Sequence, residues 1–323
     1  MFRYYFFTYL FERFLVNKNK KRGVIMNLSR KQFKILETMA TSNNSFSQRD
    51  LENETGMSLG TVNKTIKELS ELGFVADGTI TNDGINALEP YRVKRAVFIA
   101  AGFGSRLVPI TFNTPKPLVR VHGVRIIDRL IDSCLEIGIN DIYIVRGYLS
   151  ELFDQLLYKY PMIKFLENPA YNIANNISSS LVARYMLSNA YVFEADLLLY
   201  NPKIIKKYHY TSDFLAIKKK RSDDWCFQVK DGIIIDEKVG GEGDDIWQMV
   251  GISYWNSVDG HRLSQDIADV YASPGGKERY WEQVPLIYRK QHYAVEILEC
   301  SEDDIVEIDT FNELKEIDKI YDV

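Results

Sequence analysis

KRAVFIAAGFGSRLVPITFNTPKPL, residues 94–118, holds a short apolar run that breaks into glycines and then into an arginine and a proline-flanked lysine. The run Ala96, Val97, Phe98, Ile99, Ala100 has no polar alternation, so it reads as a strand buried on both faces, as in a parallel sheet. The loop that follows stands where open α/β sheets bind ligands, and small residues there let a backbone approach a ligand closely. From Lys94 onward strand-like and helix-like stretches alternate. That texture predicts an α/β, Rossmann-like domain with a mostly parallel sheet and helices on both faces. Residues 125–137 read as an amphipathic helix ending at Gly138, residues 141–145 as the second strand and residues 149–159 as a second helix. Residues 163–166, 191–195 and 214–217 read as further strands.

Taken alone, Gly102-Phe103-Gly104 is an ordinary turn after a strand. It lacks the third glycine of a dinucleotide-binding fingerprint and the Gly-Lys-Ser/Thr ending of a P-loop. The ordered set says more: a strand, then Ala-Ala-Gly-x-Gly-Ser-Arg-Leu, then Pro115-Lys116-Pro117-Leu118. Backbone N–H groups of such a loop can cradle a triphosphate, with Arg106 and Lys116 placing two positive charges beside it.

The segment before this domain, residues 26–92, reads as a small helical module. Ser29 caps a helix whose apolar face is Phe33, Ile35, Leu36 and Met39. Ser47-Gln48-Arg49-Asp50 has the form of a capping box. Gly56-Met57-Ser58 is a tight turn into a helix over residues 59–72, with Val62, Ile66 and Leu69 inward. Residues 74–81 form a hairpin around Asp77-Gly78. Helix, helix, turn, helix and hairpin in that order resemble a winged helix-turn-helix of the multiple-antibiotic-resistance-regulator type. That resemblance implies DNA contact through residues 58–67, with Ser58, Thr61, Asn63, Lys64 and Lys67 on the groove-facing side. Charge weighs against it, because residues 27–92 carry seven basic groups against nine acidic ones. A net-negative module binds phosphates weakly unless it forms a homodimer, and a protein partner is the other reading.

Across its 323 residues the chain has a net charge of −4. The first 25 residues carry +5, leaving −9 on the remainder, a poor balance for general nucleic-acid binding. This opening segment is apolar first and basic second, the reverse of a secretory signal, and Arg3, Glu12 and Arg13 interrupt it well short of a bilayer span. It reads as a non-native or disordered extension, with Met26 as the true start; an amphipathic surface anchor is the alternative. Cys134, Cys226 and Cys300 are odd in number and widely spaced, which fits a reducing, cytoplasmic setting rather than a disulfide framework. The four histidines show no metal-binding spacing.

AAGFGSRLVPITFNTPKPLV is similar nearly throughout to LAAGxGSRLxPxTxxxPKxL, the pattern of nucleotidyltransferases that activate sugar phosphates and phosphocholine. The likeness covers residues 94–323. INDIYIVRGYLSELFD, NPAYNIANNISSSLVAR, YVFEADLLLY, DDWCF, GISYW, RYWEQ and IVEIDT bring it nearest to the bacterial CTP:phosphocholine cytidylyltransferases. The resemblance implies transfer of CMP from CTP to phosphocholine, giving CDP-choline and pyrophosphate, with Mg²⁺ as cofactor. It also implies Arg106, Lys116 and Asp196 as catalytic groups, and Asp196 and Asp309 as metal ligands with Glu307 nearby. Asp309 equally occupies a helix N-cap position. Ala101, Gly102, Gly104, Ser105, Gly147, Tyr148 and Asn176 match the nucleotide-contacting segments; for Asn175 and Asn176 turn and capping chemistry is the plainer alternative.

Composition bears on the acceptor. Trp225, Tyr254, Trp255, Tyr280 and Trp281 lie near Asp223, Asp224 and Glu282, and a quaternary ammonium is held by aromatic faces beside a carboxylate. Sugars stack on aromatics too. Strand alternation also forbids Tyr254 and Trp255 from facing one cleft together. A sugar-1-phosphate nucleotidyltransferase and a nucleotide-sensing regulator with an inactive transferase fold therefore remain as rival expectations.

Overall fold

The computed structural model describes residues 27–41 and 45–322. The expected extension over residues 1–25 lies outside them. The chain divides into two compact units, Met1–Pro90 and Tyr91–Val323.

In the first unit, helix Arg30–Thr41 opens at Ser29, whose Oγ accepts from the Gln32 amide while Gln32 Oε1 accepts from the Ser29 amide. Helix Gln48–Thr55 carries the expected Ser47–Asp50 capping box and ends at Gly56, which takes the left-handed conformation at φ 67°. Helix Leu59–Glu71 is capped by the Ser58 side chain. It buries Val62, Thr65 and Leu69, whereas Ile66, expected inward, is only half-buried. Thr65 enters the core because its hydroxyl donates to the Thr61 carbonyl, which satisfies its one polar group. The wing is the hairpin β1 (Val75–Ala76) and β2 (Thr79–Ile80), turning through Asp77 and Gly78, both at positive φ as a type I′ turn requires. Thr81 caps the following helix, Asn82–Leu88. The unit is a winged helix-turn-helix.

The second unit is built on a seven-stranded sheet. In chain order the strands of the unit are β3 (Arg95–Ile99), the short β4 (Arg120–Val121) and β5 (Val124–Arg125), β6 (Asp141–Arg146), β7 (Lys164–Glu167) and β8 (Ala190–Glu194). There follow β9 (Leu197–Leu199), β10 (Asp213–Lys230), β11 (Ile233–Trp255), β12 (Glu296–Cys300) and β13 (Ile305–Glu307). The sheet order is β10-β12-β11-β8-β3-β6-β7, and β4, β5, β9 and β13 pair outside that sheet. β3 lies parallel between β6 and β8, β7 is parallel to β6 and β12 to β10, while β11 runs antiparallel to β8. This is the mostly parallel sheet read from the chain. Helix Ile126–Glu136 follows the amphipathic reading closely. The segment after β6 departs from it: Ser150–Tyr158 is a 3₁₀ helix, whose three-residue period stacks the buried Phe153 and Leu156 on one face.

Successive residues of a strand point to opposite faces, and both faces here are covered. Ala96, Phe98, Tyr191, Phe193 and Tyr254 enter one core with Leu130, Ile131, Ile142 and Ile144. Val97, Val145, Val192 and Trp255 enter the other with Phe214, Ile267 and Trp281. Among the described residues no helix is long and apolar enough to cross a membrane. The three cysteines are free and buried.

Candidate active site

The loop after β3 is tied down at both ends. The Ala100 amide donates to the Val145 carbonyl and the Tyr148 amide to the Ala101 carbonyl. A third apolar cluster, Leu107, Val119, Val121, Ile126, Leu198, Ile308 and Leu314, anchors the loop's far side to β9 and the C-terminal helix. Gly104 sits at φ 61°, and a Cβ there would lie 3.0 Å from Thr111 Cγ2 and 3.1 Å from Lys116 Cβ. Its lack of a side chain is therefore a packing requirement. At Gly102 a Cβ would meet nothing in the protein, which leaves that backbone open to an approaching ligand. Ser105 is exposed alongside. Gly147 is needed for Tyr171, whose Cβ and Cγ stand 2.7 Å from where a Cβ would be. Tyr148 donates its hydroxyl to the Thr111 carbonyl, and its ring meets Phe103 at 5.1 Å. The expected loop residues and the Gly147-Tyr148 turn are thus neighbours.

β9 pairs with β13, setting Leu197 opposite Glu307, and the Ile308 amide donates to the Asp196 carbonyl. That ladder joins carboxylates more than a hundred positions apart in the chain. Lys116, only 8 % exposed, sets its Nζ 2.8 Å from Asp196 Oδ2 and 3.4 Å from Asp309 Oδ1. Burial works against the Lys116 ammonium, but the charges of Asp196, Asp309 and Glu307 outweigh it, and its pKa is raised. Arg106 grips Asp309 with both guanidinium nitrogens, Nη1 to Oδ2 at 2.7 Å and Nη2 to Oδ1 at 2.6 Å. Its side chain remains 64 % exposed, so further donors face outward.

Asp196 and Asp309, the expected metal pair, stand on either side of Lys116, each with an oxygen facing its Nζ. Both Asp309 oxygens are held by cations, and the carboxylates that converge within 4.8 Å of one another are Glu194, Asp196 and Glu307. Glu194 was not singled out from the sequence; it ends β8, and Asp196 follows it in the two-residue turn into β9. Gly251 on neighbouring β11 makes room for it: a Cβ there would stand 2.7 Å from Glu194 Oε2. Burial, with the charges of Glu282 and Asp196, pushes the Glu194 carboxyl well above its usual range. Burial, with Asp196 and Glu194, pushes Glu307 up to about 10. Asp196 Oδ1 is buried with no hydrogen-bond partner among the described residues. Crowded carboxyls and an orphaned oxygen fit a hard divalent cation. Asp309 is not the cap of helix Phe311–Ile317, a role that Thr310 and Glu313 fill.

The aromatic expectations separate. Tyr254 is fully buried, stacked on His209 at 4.3 Å, and Trp255 is fully buried on the opposite face. Neither ring can meet an acceptor arriving from solvent, because a sheet covered on both faces leaves no strand residue of its centre exposed. The Trp281 ring also belongs to the core, stacked on Phe214 at 6.1 Å. Trp225 and Tyr280 remain accessible and meet edge to face at 5.5 Å. Asp223 and Asp224 are exposed, whereas Glu282 is 2 % exposed. Asn176 accepts from the Trp281 amide at 2.8 Å and donates to Glu282 at 3.4 Å, so its amide positions the segment that holds these two residues. Asn175 pins the same segment through Lys277 and Glu278.

Residues 95–199 match the nucleotidyl transferase family, and residues 28–76 match a winged helix-turn-helix DNA-binding family. A 2-aminoethylphosphonate cytidylyltransferase of Lancefieldella rimae is 34 % identical over 233 residues, 70 % of this chain and 92 % of that protein. A choline-phosphate cytidylyltransferase of Streptococcus pneumoniae is 31 % identical over 232 residues, 70 % of this chain and 97 % of that one. The solved structure of the CTP:phosphocholine cytidylyltransferase from Streptococcus pneumoniae superposes with a TM-score of 0.65 at 29 % identity, covering 71 % of this chain and 99 % of that one.

Proposed function

Because this chain belongs to the cytidylyltransferases of the nucleotidyl transferase family, we propose that it transfers CMP from CTP to a small phosphate or phosphonate whose other end is a cationic amine. Phosphocholine and 2-aminoethylphosphonate are both members of that acceptor class. The observation that carries the reading is the buried carboxyl of Glu282, fixed by Asn176 next to the accessible Trp225–Tyr280 pair. A carboxylate beside aromatic faces suits a cation.

In the transfer, an acceptor oxygen attacks the α-phosphorus of CTP. A P–O bond forms there, and the bond from the α-phosphorus to the bridging oxygen breaks, that oxygen leaving with its electron pair as pyrophosphate. A phosphate monoester, with second pKa about 6, is mostly dianionic near neutral pH and needs no general base. What remains is to hold two anions together and to neutralise the leaving group. The loop backbone at Gly102 and Ser105 receives the triphosphate, and Arg106 and Lys116 supply charge to it. Glu194, Asp196 and Glu307 would hold Mg²⁺, which when bound adds further charge neutralisation at the phosphates.

A pyrophosphate-release screen of nucleotides against acceptors tests this. Turnover with CTP and amine-bearing phosphates or phosphonates is expected; turnover only with a hexose 1-phosphate would overturn the reading.

We further infer DNA contact through residues 58–67 of the winged helix-turn-helix unit, where Asn63, Lys64 and Lys67 are exposed. The unit's acidic balance calls for a homodimer to reach useful affinity. Fluorescence anisotropy with labelled duplex DNA, beside light scattering, tests both. Lys64→Glu with Lys67→Glu abolishes the binding if this face is used.

A further inference from the structure

Resting on the reading of an amine-bearing acceptor, we propose that Glu237 selects acceptors by the hydrogen bonds their cationic head can donate, so that a primary ammonium is preferred over a trimethylammonium. Glu237 is 6 % exposed, and both of its carboxyl oxygens are buried with no hydrogen-bond partner among the described residues. Buried oxygens of this kind are costly unless something donates to them.

Their position ties them to the acceptor segment. Residues directly opposite in an antiparallel ladder share a face, and Glu237 stands opposite Phe227 while Val239 stands opposite Trp225. Trp225, Phe227 and Glu237 therefore present one face. Trp225 meets Tyr280 at 5.5 Å, and Phe227 meets Phe214, which stacks on Trp281. Glu282 follows directly in the chain. The Glu237 charge is felt at Glu282, so the two buried carboxyls lie near one another on the side of these rings.

The rings point the same way. A trimethylammonium has no N–H to donate and depends on aromatic faces, yet only Trp225 and Tyr280 of the five expected aromatics remain accessible. A primary ammonium has three donors and can serve both Glu237 and Glu282. Burial, reinforced by Asp236, pushes Glu237 up to about 7, and burial with the Glu237 charge pushes Glu282 up to about 8. Such is the behaviour of acids that lack a counter-cation.

The test is steady-state pyrophosphate release with CTP and a methylation series running from phosphoethanolamine to phosphocholine, with 2-aminoethylphosphonate alongside. It is run on wild-type protein, Glu237→Gln and Glu237→Asp. In wild type kcat/KM falls at least tenfold from the primary to the trimethylated acceptor. Glu237→Gln shrinks that ratio tenfold or more, through the acceptor KM and not through kcat, and Glu237→Asp retains part of the preference. The ratio within each variant is its own reference, so partial loss of folded protein does not blur it. Wild-type protein using phosphocholine as well as the primary amine, or Glu237→Gln keeping the ratio, overturns the assignment and leaves the amine-bearing acceptor standing. Activity with hexose 1-phosphate and none across the series overturns both.

Discussion

Arg106 and Asp309 form a two-pronged ion pair, 2.6 and 2.7 Å across its two contacts, and Asp309 also lies 3.4 Å from Lys116 Nζ. The cations suited to a triphosphate are therefore already engaged by the site's own carboxylates. An incoming nucleotide has to compete for them, and the exposed Arg106 is the easier to recruit. Arg106→Ala is expected to raise the KM for CTP roughly tenfold to a hundredfold, since charge-assisted bonds to phosphate are lost. Initial rates across a CTP titration measure it.

Lys116 differs in being buried and in touching two carboxylates at once. Its raised pKa keeps it an ammonium across the neutral range. Lys116→Ala is expected to lower kcat by about 10²–10³, the usual scale for removing a preorganised charge from a developing anion. Near-normal single-turnover rates would take Lys116 out of the chemistry.

Gly251→Ala tests the carboxylate cluster without touching a ligand. The added methyl meets the Glu194 side chain at 2.7–2.8 Å, and Gly251 is not at positive φ, so the effect is steric displacement of that carboxyl. The Mg²⁺ concentration for half-maximal rate is expected to rise about tenfold, as for other disturbances around metal ligands. A titration of Mg²⁺ at saturating CTP reads it, and an unchanged midpoint removes Glu194 from the ion site.

Glu237 also makes a prediction about stability. Its carboxyl is pushed up to about 7, first by burial and then by Asp236, from an ordinary value near 4.5. Between those pH values the folded chain keeps a proton that the unfolded chain has released, so stability falls as pH rises through this window and then levels off. Glu237→Gln lacks that proton, and its melting temperature is expected to exceed wild type by a margin that is small at pH 5 and largest at pH 8. Equal margins at both pH values would contradict the buried, unpartnered carboxyl.

Much of the architecture was legible because its signals are local. The unbroken apolar run before Gly102 announced a strand covered on both faces, the Ser47–Asp50 box and the Asp77-Gly78 turn set boundaries in the first unit, and the spacing of Arg106 and Lys116 marked the loop. The helix read after β6 is instead 3₁₀, a difference that periodicity over one short amphipathic stretch does not resolve. In the site, Asp196 and Asp309 stood out by motif, whereas Glu194, which converges with Asp196 and Glu307, did not.

The sequence by itself determined the class of fold and the kind of transfer, since buried strands, capped helices and a Gly-x-Gly-Ser-Arg loop are written in contiguous residues. Only the tertiary structure decided which side chains meet. The β9–β13 ladder brings Glu307 to Asp196, and Gly251 leaves space for Glu194. Helix and strand cover removes Tyr254 and Trp255 from solvent. The turn between β10 and β11 folds Glu237 back onto the face that carries Trp225. Each of these is a long-range proximity set by packing and register, and neither leaves a periodic trace in the chain.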